Sequence, residues 1–236
     1  MATYDGFDTA LSKILQLFGI HELKEEQRII LDCLLEGKDC IAVLPTGFGK
    51  SLPFQIYLPL KREMNKSCSS VNEKILVCCP LISLMQDQVD KLADIPDLTA
   101  AYKGSSTQGD ENIKDGRIDI IYASPESLVG DPVWRSNFQK LKVSVLVIDE
   151  FHTIATWGTD DDGTQKQAFR KWFAAVGELR SLFPSAAVLS LSATCTSNIR
   201  KRVSKVLQLK EDTTEVSISP NKTNIKISAA KLSNSI

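Results

Sequence analysis

Two clusters of side chains in this sequence have the types and spacing for phosphate chemistry. Residues 40–51, CIAVLPTGFGKS, run from an apolar stretch through a glycine-containing turn into Lys50 and Ser51. Gly47 and Gly49, with Thr46 and Phe48 around them, let the backbone curl so that successive amides face a polyphosphate. A helix opening at Ser51 adds the positive end of its dipole. There Lys50 would neutralise the β and γ phosphates and the Ser51 hydroxyl would ligate Mg²⁺. The strict pattern G-x-x-x-x-G-K-[ST] asks for glycine where this chain has Leu44, so an ordinary glycine turn before a helix stays open as an alternative. The second cluster is VLVIDEFH, residues 145–152, with two adjacent carboxylates after an apolar run. Asp149 is placed to hold Mg²⁺ through water, and Glu150 to orient and deprotonate an attacking water. Alone, such a pair reads as a solvated turn; beside a phosphate loop it completes a site for phosphoryl transfer.

These groups need a scaffold. Short, β-branched runs at 40–44, 75–79, 118–123, 143–148 and 186–191 read as strands covered on both faces. Segments 83–93 and 196–207 carry apolar residues at helical spacing, and two further helices are expected at 7–18 and 24–36. Alternating strands and helices predict an α/β fold, a doubly wound and mainly parallel sheet with helices on both faces. Such sheets place ligands at the carboxyl ends of their strands, where Lys50 and Asp149 would then meet. Residues 61–74 and 159–165 are polar and read as loops.

The composition narrows the class. With 28 basic against 29 acidic residues, a net charge of −1 and 43% hydrophobic residues, the chain is not a polycationic nucleic-acid binder and not a long disordered segment. A nucleic-acid site would have to arise from local arrangement. Six cysteines form no C-x-x-C pair and only two histidines are present, so no zinc site is expected. No apolar run approaches the roughly 18 residues that span a bilayer, and the first residues lack the layout of a secretory signal. The expected location is intracellular, without membrane partners.

Six segments in order resemble the motifs of the RecQ-like branch of superfamily 2 helicases, from about Phe18 to Leu209. They are FGIHELKEEQ (18–27), LPTGFGKS (44–51), CCPLISLMQDQV (78–89), YASPESL (122–128), DEFH (149–152) and SLSATCT (190–196). The resemblance implies a RecA-like three-layer ATPase domain at residues 37–216, preceded by helices carrying an adenine-recognition motif at 1–36. It implies that Gln27 reads the adenine edge, and that Lys24 stands where the family usually has an arginine packing on the base. His152, Ser192 and Thr194 would couple the nucleotide site to the nucleic-acid site. Ser83 and Gln86, then Ser124 and Glu126, would mark the contacts to a strand backbone, with helix capping as the alternative for the two serines. Trp157, Phe169 and Arg170 resemble the ends of the family's aromatic-rich, strand-sensing loop, here separated by the insertion TDDDGTQKQA. Arg200, Lys201, Arg202 and Lys205 read as a solvated basic face.

SPNKTNI, residues 219–225, is similar to the linker into a second RecA-like domain, so residues 217–236 read as its beginning. The resemblance therefore implies half of a motor. The parent would be an ATP-dependent 3′-to-5′ DNA helicase, acting on single-stranded or partly duplex DNA and nuclear if eukaryotic. A DExH or DEAD-type RNA helicase domain and a non-catalytic, nucleotide-gated nucleic-acid scaffold stay open as alternatives.

Overall fold

The computed structural model describes residues 6–65, 72–153 and 176–219, together with 226 and 228. Its elements are α1 (Phe7–Leu17), α2 (Glu25–Leu35), β1 (Cys40–Val43), α3 (Leu52–Met64), β2 (Lys74–Cys78), α4 (Ile82–Leu92), β3 (Ala100–Tyr102), α5 (Thr107–Lys114), β4 (Ile120–Ala123), α6 (Pro132–Gln139), β5 (Val143–Ile148), α7 (Glu178–Leu182), β6 (Ala187–Ser192), α8 (Ser197–Val206) and β7 (Thr214–Ser217). A π-helical turn, Glu126–Gly130, joins β4 to α6. The strands form one sheet in the order β3-β4-β2-β5-β6-β1-β7. Every pairing is parallel.

The alternation of strand side chains explains the three layers. Cys40 and Ala42 of β1, Ile75 and Val77 of β2, and Val145 and Val147 of β5 point to one face, where they join buried residues of α1, α2, α3 and α4. Their neighbours Ile41 and Val43, Leu76 and Cys78, and Leu146 and Ile148 join Ile113, Trp134, Phe138, Leu179 and Val203 on the other. These strands are buried on both faces, and their parallel pairings set where each carboxyl end falls on the sheet's upper rim. The helices of residues 1–36 share the first of these clusters with the sheet.

Two strands and one helix end depart from the sequence expectation. β3 is three residues long and β7 buries only Val216, so neither shows a periodicity that stands out; each is an edge strand held by ladder bonds to its single neighbour. Residues 61–64 continue α3 instead of opening a loop, because their charged heads find partners across the fold. The Lys61 ammonium lies 2.6 Å from Glu73 Oε2, and Arg62 donates to Asp119 Oδ2 at 3.1 Å.

The lower rim, at the amino ends of the strands, is closed by buried ion pairs. Asp39, fully buried, accepts from Arg180 Nη1 at 3.2 Å and Nη2 at 3.0 Å, and from the amides of Val188 at 2.9 Å and Lys210 at 3.0 Å. Arg180 also donates to the Ala186 carbonyl at 2.9 Å. One carboxylate thus ties β1, α7, β6 and the approach to β7. Among the described residues no helix is long and apolar enough to cross a membrane.

Candidate functional site

The upper rim is where the two sequence clusters meet. β6 lies between β1 and β5, so their carboxyl ends are two strand spacings apart, roughly 10 Å. Ladder bonds carry the register past the strand ends. Leu44 N donates to Ser192 O, Asp149 N to Cys78 O, and Phe151 N to Leu191 O, each at 3.0 Å. Between β1 and α3 the chain turns through Gly47 at φ 80° and Gly49 at φ 89°, conformations that a side chain disfavours. A Cβ on Gly49 would stand 2.6 Å from Gln27 Nε2, so a larger residue there would push that amide off the loop as well as strain φ. Lys50 curls back over the loop and donates to Leu44 O at 3.3 Å. Ser51 opens α3 without using its hydroxyl as a cap, which leaves that oxygen available as a ligand.

The carboxylate pair is electrostatically loaded. Burial, then the neighbouring charge of Glu150, pushes Asp149 up to about 6, against the opposing Glu150 amide and the nearby Lys50 ammonium. Glu150 N–H donates to Asp149 Oδ1 at 3.0 Å. To make that bond and still leave the sheet, Glu150 adopts φ 50°, a left-handed conformation unusual for a residue with a long side chain. The turn is held by Thr153, whose amide and hydroxyl donate to Glu150 O at 3.0 and 2.8 Å. The Asp149 carboxylate, half-buried and short of positive charge, and the Ser51 hydroxyl next to Lys50 in the chain are hard oxygen donors of the kind a divalent cation takes.

Glu150 also begins a chain of contacts to β6. His152 Nδ1 lies 3.2 Å from Glu150 Oε2 and 2.9 Å from Ser192 Oγ. The Ser192 hydroxyl donates to Thr194 O at 2.8 Å and accepts from Thr194 N at 3.3 Å. With its one proton committed to Thr194, Ser192 accepts from His152, so Nδ1 carries hydrogen. The structure therefore brings together the three residues expected to couple the sites, and adds the contact from Glu150 to His152, which motif spacing does not reveal.

Lys24 and Gln27 reach the phosphate loop from the start of α2. Gln27 is buried, and its amide is committed on both sides. Oε1 accepts from Lys24 N at 3.0 Å, while Nε2 donates to Phe48 O at 3.2 Å and Gly49 O at 3.0 Å. Reading an adenine edge requires these bonds to be exchanged. The Lys24 ammonium lies 4.1 Å above the Phe48 ring and donates to Phe48 O at 3.1 Å. Lys24, Gln27, Gly47, Phe48, Gly49 and Ser51 line a cleft of about 560 Å³, whose far wall includes Phe18, Ile20, Gln55, Gln88 and Ile95. Phe18, Ile20 and Gln88 belong to the motif segments at 18–27 and 78–89, whereas Gln55 of α3 and Ile95 lie outside every motif and carry no signature of their own in the sequence. Thr46 is exposed at the loop's crest.

The expected strand-contact residues also lie on the upper rim, beyond β5. Ser83 and Gln86 are exposed on the first turns of α4. The helix begins at Leu81 without a side-chain cap, which removes the capping alternative for Ser83. Ser124 does act locally, accepting from Ser127 N at 3.4 Å. Glu126 is half-buried, and its Oε1 has no partner among the described residues. On α8, Arg200 pairs with Glu215 at 2.7 Å and Lys201 and Lys205 are exposed, in keeping with a solvated basic face. Trp157, Phe169 and Arg170 lie outside the described residues.

With this geometry in hand, the likeness to known proteins is consistent. Residues 24–202 match the family described as DEAD/DEAH box helicase. The chain is 32% identical over 220 residues to a probable ATP-dependent DNA helicase RecS of Bacillus subtilis, covering 91% of this chain and 40% of that protein. It is 32% identical to the ATP-dependent DNA helicase RecQ of Pasteurella multocida, over 85% of this chain and 30% of that one. It is 33% identical to the mouse bifunctional 3′-5′ exonuclease/ATP-dependent helicase WRN, over 82% of this chain and 13% of that one. The chain therefore spans less than half the length of these relatives. The crystal structure of the DUF1998 helicase MrfA bound to DNA superposes with a TM-score of 0.67 at 17% identity, over 92% of this chain and 30% of that one, a likeness of fold.

Proposed function

The chain belongs to the DEAD/DEAH box helicase family, and on that premise we propose that it is the nucleotide-binding RecA-like domain of a RecQ-type DNA helicase, which hydrolyses ATP to move 3′-to-5′ along a single strand. The observation that carries this reading is the convergence of Lys50, Ser51, Asp149 and Glu150 on one rim, with the Lys50 charge felt at Asp149. Mg²⁺ bound with the nucleotide supplies charge neutralisation at the phosphates, and Ser51 and Asp149 are the residues that would hold it.

The protein's own groups do the rest. The amides of the turn between Thr46 and Ser51 and the Lys50 ammonium bind and orient the phosphates. Glu150, aimed out of the sheet by its left-handed backbone, holds the attacking water and takes its proton at a carboxylate oxygen. His152, bonded to Glu150 and Ser192, positions that carboxylate and ties its state to β6. Ser83, Gln86 and Ser124 meet a strand through neutral hydroxyl, amide and backbone groups, in the contact region that Glu126 marks, which suits travel along any sequence. A second RecA-like domain of the parent protein would supply the arginine that completes the reaction. Without such a finger, worth about 10³ to 10⁵ in rate, hydrolysis by this chain alone should be close to nil.

Lys50→Ala tests the reading. Mg-nucleotide affinity, followed by calorimetry, should fall at least about 30-fold, since truncating a charge partner at a desolvated site costs about 2–5 kcal/mol, while the unfolding midpoint stays put. Unchanged affinity would refute the site. Two of the relatives named above, RecS and RecQ, are named as DNA helicases, which favours DNA over RNA. Equal affinity for matched strands with and without 2′-hydroxyls would remove that preference.

A further inference from the structure

At the edge of the sheet farthest from the nucleotide, two lysines share one tryptophan. Lys103 Nζ lies 5.2 Å and Lys114 Nζ 5.1 Å from the centroid of the Trp134 ring. The indole itself is buried, with 6% of its surface exposed, and packs on Phe138. Lys103 comes directly after β3, and Lys114 ends α5. Among the described residues neither ammonium has an ion pair or a hydrogen bond.

Two of the nearby acids have partners of their own. Asp110 accepts from the amide of Gly104 at 2.8 Å, and Asp115 pairs with Arg117 at 2.6 Å. Arg135, the other cation beside Trp134 in sequence, is taken up by Glu178 at 2.9 Å. Two like charges within about 10 Å of one another, both fixed by the same quadrupole, repel each other, and an anion set between them is attracted by both.

The place of the pair says which anion. Lys103 N donates to Tyr122 O at 2.9 Å, so Lys103 stands one strand over from the end of β4, two residues before Ser124. In the sheet the order runs β2, β4, β3. The residues after these strands therefore form a row: Ser83 near β2, Ser124 at β4, Lys103 at β3. Polar groups at one-strand steps along a rim suit a linear polyanion better than a single small one.

We propose that Lys103 and Lys114, seated on Trp134, grip a backbone phosphate of the nucleic-acid strand after it passes Ser124, extending the strand track to the sheet's outer edge. The proposal rests on the strand-binding reading given above. The tryptophan is a positioning residue: it holds both aliphatic stems so that the charges face outward together.

The test is a salt titration of binding to a labelled single-stranded oligothymidylate, followed by anisotropy. Lys103→Met with Lys114→Met keeps the stems and removes both charges. It should lower the slope of log affinity against log salt by about 0.7 for one lost phosphate contact, and by about twice that if each lysine holds its own. The Lys103→Arg, Lys114→Arg pair should restore the slope. Mg-nucleotide affinity should be unchanged in both, because neither lysine touches that site. Strand binding by the unaltered chain with a slope the Met pair leaves untouched would overturn this inference alone. Weaker binding at an unchanged slope would count against it too, since lost charge contacts must appear in the slope. No strand binding by the unaltered chain would bring down both this inference and the strand-binding reading beneath it.

Discussion

Asp119, buried, and Asp149, half-buried, sit at opposite rims of the same parallel sheet, and the fold treats them in opposite ways. Burial acts to raise both. At the lower rim Arg62 and the Thr99 amide outweigh burial and hold Asp119 below the usual carboxylate range. At the upper rim burial and Glu150 dominate and Asp149 is pushed up to about 6. The lower rim satisfies its charges with the protein's own groups, as Asp39 and Arg180 also do. The upper rim leaves a carboxylate pair under-compensated, sets Glu150 at a strained φ, and ties the Gln27 amide to two loop carbonyls. Strain and unmet charge gather where a ligand is to be bound, and stability is drawn from the other end.

The largest effect that could break this contrast lies at the lower rim. Arg180→Met leaves Asp39 buried and charged without its partner, and should cost about 3–5 kcal/mol in denaturant unfolding. Adding Asp39→Asn should recover part of the loss, and Mg-nucleotide affinity should be indifferent to both. A cost below about 1 kcal/mol would mean the lower rim is not the anchor described here.

Next comes Asp149→Asn, which should stabilise the nucleotide-free chain. In a free chain the carboxyl titrates near 3.8, and in the fold near 6. Below about pH 4 it is protonated in both states and carries no penalty. Between pH 4 and 6 the folded state keeps a proton that the unfolded chain has lost, so stability falls as pH rises. Above 6 the penalty is complete, on the order of 2–3 kcal/mol. The asparagine variant should therefore match the unaltered chain at pH 4 and exceed it at pH 8. Asp119 gives the reverse sign: its lowered value contributes stability at neutral pH that is lost on acidification. Equal stability of the two proteins at pH 8 would show that Asp149 is already compensated.

The smallest effect sharpens the comparison inside the upper rim. Ser192→Ala removes the acceptor of His152 Nδ1 and the donor to Thr194 O, and should cost about 1 kcal/mol in thermal unfolding. Nucleotide affinity should hold, because Lys50 and Asp149 are untouched. A drop in that affinity as large as that of Lys50→Ala would make Ser192 part of the binding site instead of a link behind it.

Much of this was legible in residue order alone. β-branched runs announced β1, β2, β4, β5 and β6 because strands buried on both faces must be apolar throughout. Lys50, Ser51, Asp149 and Glu150 were readable because phosphate binding and water activation demand those residue types after strands. β3 and β7 were hidden, since an edge strand of three or four residues draws its order from a neighbour's ladder and leaves little pattern. Distances through space were hidden too. Nothing in the spacing of Asp39 and Arg180, or of Lys103, Lys114 and Trp134, says that they touch, because each pairing closes a loop through the sheet order.

What residue order by itself determined, then, is the chemistry on offer and the parallel α/β frame, since both follow from local composition and periodicity. Only the tertiary structure decided which carboxylates are compensated and which are left short of charge. That depends on the strand order, which puts β6 between β1 and β5 and sends the arginines to the other rim.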